Sequence, residues 1–401
     1  MKKLCIVLVA IMLVFAFAAC QSSNDAAEEP ATEEPAAEEP AAEEPAAEEP
    51  AAEDAEAPVA EDIQLPSGAV MSKGPHGEEA SPASDLALSA EELQKVKDGG
   101  YKVALCFHYA GNDWSTAQQQ GLKDQFGKMG IEVVSVTDAN FKAEQQVSDI
   151  ENAIAMKPDA IVSIPVDVVS SESTFKKAAA EGIKLVFMDN CPDNMEAGKD
   201  YTSVVSADNY GNGVAAAEVL GDALGGKGKI AMVYHDANFF VTNQRDEAFR
   251  TTIKDAYPDI EIVEEMGFDD ENKGAEIGDA LLTKYPDLNG IYATWDIPAE
   301  GVVSAINAAN RDDVIVSTID LGNNVAKIIA EDGVIKGLGA QRPYDQGVAE
   351  AILVGYALLG KDAPPYVALP ALKVDHANVL EAYNEVYHVD APADIADVYK
   401  Q

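Results

Sequence analysis

Ten short apolar runs, each followed by a stretch long enough for a helix, constrain this chain more than any other feature. Val103 to Phe107, Glu132 to Val136, Ala160 to Pro165, Lys184 to Asn190 and Thr202 to Ala207 form one series. Lys229 to Tyr234, Ile260 to Met266, Gly290 to Trp295, Val314 to Asp320 and Gly337 to Gln341 form a second. Between runs the spacing turns helical: Ala143, Val147, Ile150 and Ile154 share one face. The same rhythm predicts helices at Tyr210 to Leu224, Asn243 to Tyr257, Asn272 to Tyr285, Ala299 to Ala309 and Asn324 to Ala330. Strands that are apolar along most of their length suit a parallel sheet covered on both faces, and right-handed crossovers place helices there. Ten strands exceed one comfortable core. The expected class is α/β with two doubly wound parallel-sheet lobes; a single (β/α)₈ barrel is the alternative.

The start of the chain has a different character. Lys2 and Lys3 precede an apolar run from Leu4 through Phe17, then Ala18, Ala19 and Cys20, which is the pattern of an export signal too short to span a bilayer. Phe17-Ala18-Ala19-Cys20 resembles a bacterial lipoprotein signal, with Phe17 where leucine is usual. The resemblance implies a signal peptide at 1–19, lipidation at Cys20 and a place at the outer face of the cell membrane. From Gln21 to Asp62 there are 16 acidic residues and no basic one, with prolines at Pro30, Pro35, Pro40, Pro45 and Pro50. Such a segment cannot bury a core and repels itself, so residues 20–100 are expected to be an acidic tether and linker. At about 3.1 Å per residue, forty residues reach roughly 120 Å. Near the end of the linker, Ser89 and Glu92 have capping-box spacing for a short helix. Once Cys5 leaves with the leader and Cys20 takes lipid, Cys106 and Cys191 remain, with no spacing rule to say whether they pair.

A net charge of −42 excludes the basic footprint of a nucleic-acid binder. There is no H-E-x-x-H, G-x-S-x-G or Walker glycine loop in the sequence, so the commonest hydrolase and nucleotide chemistries lack their parts. No cofactor or metal is expected: Asp269, Asp270, Glu271 and Asn272 lack the calcium-loop pattern and read as a solvated acidic loop. Paired carboxylates for glycoside hydrolysis remain an alternative through Asp189 and Asp320.

Ligands of doubly wound sheets bind beyond the carboxyl ends of the strands. There this chain places His108, Trp114, Asp189, Asn190, Asn243, Phe268, Trp295, Asp320 and Gln341. Carboxylates accept from hydroxyls, amides do both, and aromatic faces cover C–H faces, so this set suits a neutral polyhydroxyl ligand. Asp113 and Asp296 fit turn or cap roles, Phe249 and Tyr257 fit helix core, and His108 fits a local backbone role as readily as a ligand contact.

The pattern resembles the sugar-binding periplasmic proteins of ABC transporters, in the ribose-binding-like group, from about Tyr101 to Val374. It rests on Val103-Ala104-Leu105 followed by Asn112-Asp113-Trp114; on Gln145 to Ile150; on Pro158-Asp159-Ala160; on Ser206-Ala207-Asp208-Asn209; on Asn243 to Phe249; and on Pro286-Asp287 and Asp320. The resemblance implies a type I periplasmic binding protein fold with a three-strand hinge. The first lobe would hold 101–206 with 342–371, and the second 207–341 with 372–401. It further implies that Trp114 is an aromatic platform, that Asp189 is the main hydroxyl acceptor, and that Asn243, Phe268, Trp295, Asp320 and Gln341 are second-lobe or hinge-side contacts. Asn190 and Asn243 stand where ribose-type members carry arginine, Trp295 where asparagine is common, and Ile164 replaces a polar contact. These departures point beyond ribose to another monosaccharide or a sugar alcohol. The implied role is that of a monomeric, non-enzymatic solute-binding protein serving ABC permease subunits; a chemosensory or autoinducer-binding receptor component is the second reading.

Overall fold

The computed structural model describes residues 64–237 and 239–400. The signal segment, Cys20 and the Pro/Glu repeat lie outside the described residues. The organised chain begins earlier than the sequence suggests. Strand β1 (Ser81–Pro82) and helix α1 (Ala90–Gly99) precede β2 (Lys102–Phe107), and α1 starts on the expected Ser89/Glu92 capping box. Next come α2 (Asp113–Met129), β3 (Glu132–Asp138), α3 (Ala143–Ala155), β4 (Ala160–Ser163), α4 (Glu172–Ala180), β5 (Lys184–Met188) and β6 (Ser203–Ala207). The chain then crosses to a second sheet, with α5 (Asn209–Ala223), β7 (Lys227–His235), α6 (Phe240–Ala256), β8 (Asp259–Phe268), α7 (Gly274–Lys284), β9 (Gly290–Ala293), α8 (Asp296–Ala309), β10 (Ile315–Ile319), α9 (Asn323–Ala330) and β11 (Ile335–Ala340). It returns for α10 (Pro343–Leu359) and β12 (Tyr366–Leu369), then crosses a third time for β13 (Leu372–Asp375), α11 (Val379–Tyr387) and α12 (Ala393–Ala396).

The strands form two open sheets, ordered β1-β12-β6-β5-β4-β2-β3 and β13-β11-β10-β9-β7-β8. Every pairing is parallel except that of β13 with β11. The barrel alternative is thereby excluded, because neither sheet closes on itself. Burial follows the parallel-sheet logic: in β2, Val103, Leu105 and Phe107 enter one apolar cluster while Ala104 and Cys106 enter the cluster on the opposite face. Cys106 and Cys191 are both buried and free. Helix α10 belongs with the first lobe because it lies almost backbone to backbone on α2. A Cβ on Gly121 would come within 2.1 Å of the Tyr344 carbonyl oxygen, and one on Gly347 within 2.3 Å of that of Gln118; only glycine permits this crossing.

Residues 64–85, expected to be linker, instead form a strap over the hinge. Leu65, Ala83 and Leu86 join the first-lobe core, and β1 extends that lobe's sheet beside β12. The turn at the first crossover holds the strap in place. The Asp208 carboxylate accepts from Met71 N–H at 2.9 Å, Ser72 N–H at 2.9 Å, Ser72 Oγ at 2.8 Å and Gly211 N–H at 2.9 Å. Tyr210 N–H donates back to Ser72 Oγ at 2.9 Å, and Gln244 of α6 donates to the Lys73 carbonyl at 3.4 Å. The sequence reading differs here because Gly, Pro and Ser, read as punctuation, serve a chain that passes over an existing surface and needs few apolar anchors of its own.

Candidate functional site

The carboxyl ends of the two sheets face one another across a cleft of about 590 Å³. Asp189 directly follows β5 and Asp320 directly follows β10, and both residues adopt left-handed backbone conformations, φ 56° and 72°. Non-glycine residues rarely do so outside caps and functional turns. The turn lifts each carboxylate off its sheet into the floor of the cleft, where both are buried.

A continuous polar relay joins these two acids through the first crossover. Ser206 Oγ donates to Asp189 at 2.6 Å, Asn209 Nδ2 donates to Ser206 Oγ at 2.9 Å, and Arg245 Nε donates to Asn209 Oδ1 at 3.0 Å. Arg245 Nη1 then lies 3.6 Å from Asp320 Oδ2 and donates to the Thr294 carbonyl at 3.3 Å, while Gln341 Nε2 donates to Asp320 at 2.8 Å. Burial pushes the Asp189 carboxyl up to about 6, against the opposing pull of Ser206 and Arg245. Burial also raises Asp320, with Arg245 and Gln341 opposing.

Rings close the sides. From the first lobe come His108, Tyr109, Trp114 and Phe141; from the second come His235, Phe239, Phe268 and Trp295. His108 and Phe239 stack across the gap at 6.2 Å with 15° between planes. Trp295 stands edge-on to His235 at 5.3 Å and to Phe268 at 4.9 Å, and its Nε1 donates to Glu271 on the rim at 3.2 Å. Burial holds His108 down to about 3, so its imidazole is neutral at physiological pH. His108 Nδ1, Trp114 Nε1 and Gln341 Oε1 are buried without a hydrogen-bond partner in the protein. Across the mouth, Asn323 N–H of α9 donates to Asp113 of α2 at 2.8 Å, so the lobes are drawn together.

His108, Trp114, Asp189, Phe268, Trp295, Asp320 and Gln341 therefore share one cavity. Asn190 and Asn243 do not. They line a separate space of about 640 Å³ bounded by the strap, and Asn190 Nδ2 donates to the Pro165 carbonyl at 3.3 Å. Asn243 is on the exposed side of α6, and the residue that reaches the cleft floor is Arg245, two positions on. Two residues advance a helix by about 200°, which puts them on opposite faces. The signal for Arg245 was available: Val241, Arg245, Ala248 and Phe249 make a buried stripe on α6, and a guanidinium within an apolar stripe needs a buried partner. Among the described residues, no cluster of His, Cys, Asp or Glu could hold a metal ion. Phe249 is core, stacked on Tyr292 at 4.0 Å, and Tyr257, at the end of α6, packs half-buried against the same core and donates to Asp222 of α5. Asp296 is buried at the start of α8, where its carboxylate accepts from Ile297 N–H.

Comparison with known proteins agrees with this architecture. The ribose import binding protein RbsB of Bacillus subtilis is 27% identical over 289 residues, covering 71% of this chain and 92% of the relative. An ABC transporter periplasmic solute binding protein from Actinobacillus succinogenes 130z, solved with bound D-allose, is 26% identical with a TM-score of 0.63, covering 70% of this chain and 99% of that one. A solute binding protein from Mycobacterium smegmatis, solved with bound glycerol, is 25% identical with a TM-score of 0.65 and covers 73% and 100%. The periplasmic binding protein domain family matches residues 103–362, a span that contains both acids, the whole relay and the first two crossovers. By that match over most of its organised length, this chain belongs to the periplasmic binding protein domain family.

Proposed function

We propose that this protein captures a monosaccharide or sugar alcohol between its lobes, outside the cytoplasm, and presents the closed form to the permease of an ABC transporter. The carrying observation is the facing pair Asp189 and Asp320, each raised off a strand end and flanked by aromatic rings from both lobes. Adjacent hydroxyls donate to carboxylates, ring faces cover the C–H faces, and the unpartnered Trp114 Nε1 and Gln341 Oε1 supply one donor and one acceptor. A ligand bound to both floors favours the closed arrangement by its differential affinity for it, and the closed shape is what a permease reads. Cys20, carrying lipid, would tie the body to the membrane through the acidic tether. The relatives that carry sugar names or bound sugars support this reading.

A thermal-shift panel of pentoses, hexoses and sugar alcohols tests it. At least one member raises the melting temperature by mass action, and both Asp189→Ala and Trp295→Ala lose that shift while keeping an intact unliganded fold. Indifference of the wild-type protein to every polyhydroxyl compound would refute the reading.

A further inference from the structure

We propose that the preferred ligand carries an ammonium group, as an amino sugar or aminocyclitol does, with its nitrogen seated against Asp189. This rests on the sugar or polyol reading above and narrows its ligand class.

The first observation is a charge imbalance. Asp167, Asp189, Asp269, Asp270, Glu271 and Asp320 line the cleft, and Arg245 is the sole lysine or arginine among the lining residues. Rim neighbours answer some of these acids: Lys273 pairs with Asp269, and Trp295 donates to Glu271. On the floor, the guanidinium of Arg245 lies against Asp320 and turns its Nε to Asn209. Asp189 is left with a hydroxyl donor, Ser206, where a buried carboxylate calls for a cation. Burial raises its pKa, and the Ser206 hydroxyl and the more distant Arg245 oppose that rise without reversing it.

The second observation is the balance of donors and acceptors. Gln341 spends its amide N–H on Asp320, which leaves Oε1 buried and unpartnered as an acceptor. With the Asp189 and Asp320 carboxylates, the cleft's open acceptors outnumber the unpartnered donor Trp114 Nε1 and exceed what a hydroxyl satisfies with its single proton. An ammonium donates three hydrogen bonds and accepts none. The walls fit the same chemistry, since Trp114, Phe141, Phe239 and Trp295 present rings to the cavity, and ring faces attract a desolvated cation.

The test is isothermal titration calorimetry on the full chain with matched pairs: D-glucosamine against D-glucose, D-galactosamine against D-galactose, and an inosamine against myo-inositol. In at least one pair the amino member binds about ten-fold tighter or more, as a charge-assisted bond requires. Raising the pH from about 5 to about 7 strengthens its binding, because Asp189 ionises across that interval, and leaves the neutral member nearly unchanged. Asp189→Asn removes the preference; asparagine tolerates the left-handed backbone and keeps an acceptor for Ser206. Neutral members that bind as tightly as their amino partners in every pair overturn this inference and leave the sugar reading standing. Failure of both members of every pair, in a chain that also ignores the wider panel, overturns that reading and this inference with it.

Discussion

The two halves of the cleft floor are built from the same parts but finished differently. On the second lobe, Asp320 is held by Arg245 and Gln341, and Arg245 is held in turn by Asn209 and the Thr294 carbonyl. On the first, Asp189 has Ser206, and the nearby Trp114 Nε1 and His108 Nδ1 have no protein partner. One half is a largely prebuilt polar surface, with Gln341 Oε1 its open acceptor, while the other has fewer protein partners. In the ligand-binding reading proposed above, preorganisation of one face would lower the ordering cost of binding, and the unfilled face would supply the difference in affinity that closes the lobes.

Breaking the finished half has the largest expected effect. Arg245→Ala leaves Asp320 buried beside an empty space and Asn209 without its donor. Removing one partner of a buried pair costs about 3–5 kcal/mol, read as a fall in melting temperature of roughly 10 °C in the unliganded protein. Adding Asp320→Asn removes the orphaned charge, and the double variant recovers part of the loss. Additive losses in the double variant would mean that the two side chains stabilise the lobe independently.

The unfinished half gives the opposite sign. Burial raises the folded-state pKa of Asp189 above its unfolded value of 3.8, to about 6. A raised carboxyl binds its proton more tightly in the native state, so stability falls as pH climbs from about 4 to about 6 and stays reduced above that. The shift corresponds to about 3 kcal/mol at neutral pH. Asp246 is pushed the same way by burial, also to about 6, and adds to the slope. Asp189→Asn is therefore more stable than the wild type near pH 7, with a flatter pH profile, while binding ligand more weakly. Equal stability of the two proteins across that range would show that a partner already answers the Asp189 charge in the empty protein.

The alternation of the sequence carries the architecture because the inner strands are mostly short and apolar on both faces, with the edge strands β3 and β8 the exceptions, a pattern that few folds other than a parallel sheet satisfy. Asp189, Asp320 and Trp295 are legible for a related reason: strand ends are where such sheets bind ligands, and each lies within two residues of the end of a strand run. Asn190 and Asn243 lie outside the cleft because side-chain direction, which the position in the sequence does not show, turns them away from it. A strand end that turns through a left-handed residue reverses which neighbour faces the cleft, and a helix turns away within two residues. Arg245 is hidden in the sequence by the apolar neighbours of its helix face, which read as core. The strap was illegible on different grounds. Beyond a few apolar anchors and the two-residue β1, it is held at the crossover through backbone N–H groups and one serine on Asp208, and such bonds leave no periodicity to read.

The smallest expected effect separates the hinge side from the cleft. Ser72 Oγ both donates to Asp208 and accepts from Tyr210 N–H, while the backbone N–H groups of Met71 and Ser72 hold the same carboxylate independently. Ser72→Ala removes the hydroxyl and keeps the two backbone bonds, so it costs about 1 kcal/mol. The loss is local because Gly211 N–H still satisfies Asp208 at the start of α5. Hydrogen exchange at Met71, Ser72 and Tyr210 should quicken, while ligand affinity stays within about two-fold of wild type because no strap residue lines the cleft. A ten-fold change in affinity from this one hydroxyl would instead tie the strap to lobe closure. The first crossover would then transmit strain from the tether side of the molecule into the relay between Asp189 and Asp320, and the two halves of the floor would not be independent of the chain that leads to them.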